Sequence, residues 1–237
     1  MSHWYNKDGS TQYTVIGANG KERATTLRDA KKMDLVPSVT TILNVAAKPG
    51  LTNWLQQQVL LAALTLPRAD GEPEESWLER VMQDSKSTGK DAADRGTHMH
   101  NQIEDYFTGK DRTQDNKYAI NTYEAVNKEF GLQAWECERS FASDLGYGGK
   151  VDLSALGIVI DFKTKDKVDD KTDVYDEHAM QLAAYRVGLG MPFATCANVF
   201  VDPAGNVKII THTEEEMEKA EHMFMSLLSF YRIKNNL

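Results

Sequence analysis

Residues 146–163, within GYGGKVDLSALGIVIDFKTK, constrain the chain more than any other stretch, because two runs of period two meet there at a glycine. Val151 and Leu153 fall on one side of an extended strand, Asp152 and Ser154 on the other; beyond Gly157, Ile158, Ile160 and Phe162 alternate with Val159, Asp161 and Lys163. The pattern predicts a β-hairpin. A two-residue turn at Leu156 and Gly157 pairs Ser154 with Val159 and Asp152 with Asp161, whereas a three-residue loop slips the register by one. Directly opposed like charges destabilise a strand pair. Facing aspartates therefore point to something positive between them, and a divalent cation is the natural candidate. The relation of Asp161 to Lys163 holds in any register, since positions two apart share a side and set an acid beside an ammonium.

The hairpin needs partners to cover it, and the remaining chain supplies them. Residues 12–35 read as a short hairpin around Ala18, Asn19 and Gly20, with Tyr13, Val15 and 25–27 as strand material. In PSVTTIL, starting at Pro37, Ser38 can cap a helix on Val39, Ile42 and Leu43, and its hydroxyl-rich start can also meet phosphate. Helices are expected over 51–66, which carries Trp54 as a core candidate, around 77–82, and over 91–107, where Met99, Ile103 and Phe107 recur at helical spacing. His98 and His100 lie in the last of these. Two residues apart on a helix point about 200° away from each other, so the pair cannot chelate one ion, which disfavours a zinc hydrolase built on both. His100 shares the inward side with Ile103 and Phe107. A helix over 118–130 and a strand over 132–141, carrying Glu138, lead into the central hairpin. After it, 164–175 reads as a mobile Lys- and Asp-rich loop, and 176–187 as a helix on which Gln181 and Tyr185 are neighbours four apart. A second hairpin over 197–210 follows. The last helix starts at Thr213 with Glu216 completing a capping box, and its stripe is Met217, Ala220, Phe224, Leu227 and Tyr231.

Composition removes several classes of function. With 237 residues and 41% hydrophobic content the chain can bury a sizeable core, and no apolar run approaches the roughly 20 residues of a membrane span. A cytoplasmic protein is the expectation. Two cysteines, Cys137 and Cys196, cannot supply a four-thiolate zinc or iron–sulfur site. A net charge of -8 argues against a surface coated for nucleic acid, though it leaves room for a local basic groove.

Taken in order, His100, Glu138, Asp152, Asp161-Phe162-Lys163, Gln181 and Tyr185 resemble the RecB-like branch of the PD-(D/E)XK nuclease superfamily. Arg95-Gly96-Thr97-His98-Met99-His100 is similar to the RGTxxH helix motif, which selects His100 over His98. Gly149-Lys150-Val151-Asp152 resembles GxxD, Asp161-Phe162-Lys163 the DxK core, and Gln181 to Tyr185 the QxxxY helix. Pro37-Ser38-Val39-Thr40 and the motif spacing resemble the exonuclease group that includes the mitochondrial genome maintenance exonuclease and phage-encoded exonucleases.

The resemblance implies an α/β (α+β) restriction-endonuclease-like core, a mixed central sheet flanked by helices, with a helical N-terminal half. It implies one nuclease domain over 1–237, with a hairpin and helical part to 135 and the core from 136. Metal is then expected on His100, Asp152, Asp161 and the Phe162 carbonyl. Lys163, Asp161, Asp152 and Glu138 are the expected catalytic set, and Gln181, Tyr185, Ser38, Thr40 and Arg95 the expected nucleic-acid contacts. Oxygen donors with one imidazole suit Mg²⁺ or Mn²⁺. Some relatives in this branch carry an iron–sulfur cluster on four cysteines, which this chain lacks, so no cluster is expected. The implied activity is a metal-dependent DNA exonuclease acting from single-stranded ends in replication, recombination or repair, in the host cytoplasm if phage-encoded. A structure-selective or nicking endonuclease on the same core is the alternative, and a nucleic-acid-binding module with a dead site is a weaker one. No membrane partner is expected.

Overall fold

The computed structural model describes residues 3–112 and 116–237. Its residues form two compact units, 47–99 and the remainder of the chain.

The larger unit is built on a five-stranded sheet. Its strands are β5 (Glu136–Ser143), β6 (Tyr147–Ala155), β7 (Ile158–Thr164), β8 (Thr195–Val201) and β9 (Val207–Thr211), hydrogen-bonded in that order. Only β7 and β8 run parallel, so the sheet is mixed and the protein is of the α+β class. The turn between β6 and β7 is the two-residue one: Ser154 pairs with Val159 and Ala155 with Ile158, Gly157 takes φ 76°, and Leu156 sits fully exposed at the apex. Glycine is needed at 157 because a side chain is strained at that positive φ.

Helices cover this sheet. The parallel step from β7 to β8 needs a long crossover, and it contains α6 (Asp176–Gly188), which packs on the sheet and against α7 (Glu214–Asn235). The α7 cap is the expected box, with Thr213 and Glu216 each accepting from the other's backbone amide. Its buried stripe is Met217, Ala220, Phe224, Leu228 and Tyr231, with Leu228 in place of the expected Leu227. The short α2 (Val39–Leu43) packs on both of these helices, and α5 (Lys117–Phe130) on β8 and β9.

Two N-terminal features depart from expectation. Residues 14–24 do form the hairpin, β2 (Thr14–Ile16) with β3 (Glu22–Ala24). The 25–27 segment is not strand: Thr26 caps α1 (Leu27–Met33), with Asp29 closing a capping box, and these local hydrogen bonds win over β-propensity. Ahead of it β1 (Trp4–Tyr5) pairs with β4 (Val36–Pro37), sealing Trp4 completely in the core.

The smaller unit holds α3 (Pro49–Thr65) and most of α4 (Glu74–Thr108). The stretches around 77–82 and over 91–107 are one continuous helix. Ser85, Ser87 and Thr88 return their hydroxyls to carbonyls of the preceding turn, and Gly89 is tolerated inside the helix at about 1 kcal/mol. Trp54 is only half-buried.

The 164–175 loop is tethered. Val168 N–H donates to the Asp202 carboxylate at 2.9 Å, Lys165 N–H to the Val201 carbonyl, and Lys208 Nζ to the Asp170 and Thr172 carbonyls. Among the described residues no helix is long and apolar enough to cross a membrane.

Candidate active site

The site forms where β6 and β7 part. Pairing between them runs from Ala155–Ile158 to Leu153–Ile160, and the same register places Asp152 across from Asp161. There the ladder stops. The Phe162 amide instead donates to Asp152 Oδ2 at 2.8 Å. The two acids thus take the place of a backbone pair at the end of the hairpin.

Asp161 is almost fully buried and surrounded by donors. Lys163 Nζ lies 2.7 Å from its Oδ2, Gln181 Nε2 donates to Oδ1 at 2.8 Å, and Asn198 Nδ2 donates to Oδ2 at 3.0 Å. Gln181 is fixed from three sides, since its Oε1 also accepts from Lys163 Nζ at 3.1 Å and its Nε2 reaches the Tyr185 hydroxyl at 2.9 Å. The one-turn spacing of Gln181 and Tyr185 on α6 makes this possible. Burial pulls the Lys163 ammonium down, but the Asp161 carboxylate beside it prevails, and the net direction is up. Burial, with the charges of Asp161 and Asp152, holds the Tyr185 phenol well above its ordinary range, so it stays protonated.

Asp152 is in the opposite condition. Burial and then the Asp161 charge push its carboxyl up to about 6, against opposing pulls from His100, Lys163 and the Phe162 amide. His100 reaches it from α4, with Nδ1 3.7 Å from Asp152 Oδ2 and the ring edge-on to Phe162 at 6.1 Å. Met99, Ile103 and Phe107 are buried on that helix while His98 is exposed, so helical phase selects His100.

The other expected residues are distributed as follows. Glu138 sits on β5 across from Asp152 by register, in the left-handed region at φ 54°, and its carboxylate is ion-paired with Lys150. Ser38 is buried and acts as the α2 cap, its Oγ accepting the Thr41 N–H at 3.0 Å. Thr40 stays exposed beside it. Arg95 lies on α4 within the smaller unit.

Sequence reading missed Asn198 and His212. Asn198 is in register with Asp161 on the parallel strand, and its Oδ1 accepts from His212 Nε2 at 2.9 Å. His212 is buried, which lowers its affinity for a proton, and its Nδ1 lies 3.9 Å from Glu216. A buried chain thus runs from Asp161 through Asn198 and His212 toward α7. Its one sequence signal is a lone Asn inside the apolar run TCANVFV. Neither thiol is an available nucleophile, because burial raises Cys137 to about 11 and Cys196 to about 12.

Among the described residues no three His, Cys, Asp or Glu side chains are drawn together tightly enough to form a ready metal cage. The donor chemistry nonetheless suits a hard divalent ion: two carboxylates on adjoining strands, one of them made a reluctant anion by burial and then by the other's charge, with an imidazole beside them.

The fold and site define an α+β protein with a buried acid–lysine–amide cluster at the end of a hairpin. No family model matches the chain, and no curated protein does. Among solved structures, that of the protein SSO0001 aligns at 20% identity over 44% of this chain and 55% of that one, with a TM-score of 0.28. The chain therefore spans about half the length of that structure.

Proposed function

We propose that the chain is a divalent-metal-dependent nuclease of the RecB-like PD-(D/E)XK kind, hydrolysing DNA from single-stranded ends. The observation that carries the reading is the pair of acids Asp152 and Asp161 just past the last β6–β7 pair, with Lys163 two residues on and held by Asp161 and Gln181.

Asp152, Asp161 and the Phe162 carbonyl, with His100, would hold Mg²⁺ or Mn²⁺. When bound there, the ion supplies an activated water and neutralises charge building on the phosphoryl group. The chain's own residues do the rest. Lys163 presents a cation at the site, its position locked by two acceptors, so it meets an attacking water or a transition-state oxygen without reorganising. Gln181 ties that lysine to Asp161 and to the Tyr185 hydroxyl, and so couples the placement of substrate to that of the acid. Burial of Asp161 keeps bulk water from weakening these contacts. The setting for such work is DNA replication, recombination or repair in a cytoplasmic compartment.

The test compares end-labelled linear and circular single-stranded DNA with Mg²⁺, Mn²⁺ or EDTA. Metal-dependent cutting of the linear strand alone is expected. Equal cutting of the circle would replace the reading with an endonuclease, and no cutting of either strand with either metal would remove the nuclease.

A further inference from the structure

A cleft of about 200 Å³ is lined in part by His3, Tyr5, Tyr13, Thr40, Lys150 and Tyr185, the last of which reaches Asp161 through Gln181. We infer that it is a nucleotide subsite, stacking the base next to the scissile phosphate on the His3–Tyr13 pair while Lys150 meets the adjoining phosphate. The inference rests on the nuclease reading and gives that site its grip on single-stranded nucleic acid.

Several observations support it. The His3 and Tyr13 rings stack with centroids 4.5 Å apart and an interplanar angle of 27°. Tyr5 meets Tyr13 edge-on at 5.7 Å, and their hydroxyls hydrogen-bond at 2.7 Å, so the aromatic surface is fixed before any ligand arrives. Tyr5 is buried, while Tyr13 is half-buried and His3 exposed, so part of this aromatic cluster is accessible to solvent. Aromatic faces bind bases of any sequence.

The floor is kept bare by glycine. A Cβ at Gly148 would come within 2.8 Å of Tyr5, and one at Gly149 within 2.8 Å of Tyr185 Cε1 and the Phe141 ring. These two positions let both tyrosines lie against β6.

Charge and spacing fit as well. Lys150 is two residues before Asp152 and on the same side of β6, about 7 Å along the strand, a step one nucleotide can bridge. In a chain of net charge -8 the cleft has no carboxylate among its described lining residues, and the ammonium is ion-paired with Glu138, a partner that a phosphate can displace. Tyr185 joins the cleft to the reacting centre, since its ring is a wall and its hydroxyl accepts from the Gln181 amide that also grips Asp161.

The experiment measures anisotropy of a short fluorescein-labelled oligothymidylate with the intact protein in EDTA, beside cleavage of the same oligonucleotide in Mg²⁺ or Mn²⁺. Tyr13→Ala should weaken binding about tenfold and Tyr13→Phe should retain it, as expected for a stacking face. Moving a single abasic residue through the oligonucleotide should weaken wild-type binding at one position only, the nucleotide flanking the cleaved bond. Abasic substitution there and Tyr13→Ala together should cost no more than either alone. Uniform abasic losses, or full additivity with Tyr13→Ala, overturn the subsite. The abasic scan uses wild-type protein, so it decides even if Tyr13→Ala fails to fold. Cleavage without that coupling removes the subsite and leaves the nuclease, whereas coupling without cleavage removes the nuclease and leaves the subsite.

Discussion

Replacing Asp152 by Asn tests the electrostatics of the site directly, because it removes a charge and keeps an oxygen for the Phe162 amide. The wild-type carboxyl is raised from 3.8 to about 6, first by burial and then by Asp161. At about 1.4 kcal/mol for each tenfold in proton affinity, this costs the folded state about 3 kcal/mol at neutral pH. The sign follows from proton binding: the folded protein holds the proton more tightly than the unfolded chain, so stability is present at low pH and is lost as pH rises from about 4 through about 6. Asp152→Asn should escape that loss. In EDTA at pH 7.5 we expect it to be more stable than wild type by about 1–3 kcal/mol, a rise in Tm of about 3–8 °C for a chain of this size. At pH 4 the two should melt together. Thermal and urea melts at both pH values decide it, and adding Mg²⁺ or Mn²⁺ should stabilise wild type and not the variant. A variant less stable at pH 7.5, or offset equally at both pH values, would refute the account of Asp152 as a strained anion.

Three further outcomes follow from the geometry. Lys163→Met should slow single-turnover cleavage about 10²–10⁴-fold and lower the unfolding free energy measured in urea by about 3 kcal/mol, since Asp161 is left buried without its cation. Asn198→Ala removes a donor from Asp161 and the acceptor of His212 Nε2, so chemical denaturation should show a loss of about 2–3 kcal/mol, with cleavage reduced although Asn198 touches no substrate. Gly149→Ala drives a methyl within 2.8 Å of Phe141 and Tyr185 and should lower stability by about 1–3 kcal/mol in a thermal melt, with no dependence on pH.

What could be read from sequence was set by period and local chemistry. The Asp152–Asp161 register was legible because Gly157 marks the turn and alternation on both sides fixes which residues face. Helical phase likewise separated His100 from His98. The pairing of Trp4–Tyr5 with Val36–Pro37 was not legible, since two-residue strands have no period and their pairing depends on distant chain. The expected break in α4 arose from a polar stretch whose serines and threonine fold back onto the helix. Asn198 and His212 escaped notice because they act through Asp161, and only the parallel β7–β8 register brings them to it. The stacking of His3 on Tyr13 came from tertiary structure alone.

The two aspartates divide the work of the site unequally. Asp161 has its oxygens occupied by Lys163, Gln181 and Asn198, all placed by strands and helices that form the core. It is a finished arrangement that folding itself pays for. Asp152 has one backbone donor and faces both a like charge and burial, so folding leaves it short of positive charge. One lysine cannot satisfy both acids, and His100 at 3.7 Å contributes only a partial pull. Any cation arriving at Asp152 therefore finds an anion whose cost the fold already bears, and its binding relieves that cost, while at Asp161 it must share oxygens that already accept from Lys163, Gln181 and Asn198. Moving the lysine from Asp161 to Asp152 would satisfy the reluctant acid and strand the buried one. The same arrangement that makes the apo protein less stable at neutral pH thus draws a cation first to Asp152 and keeps the Lys163 ammonium on Asp161.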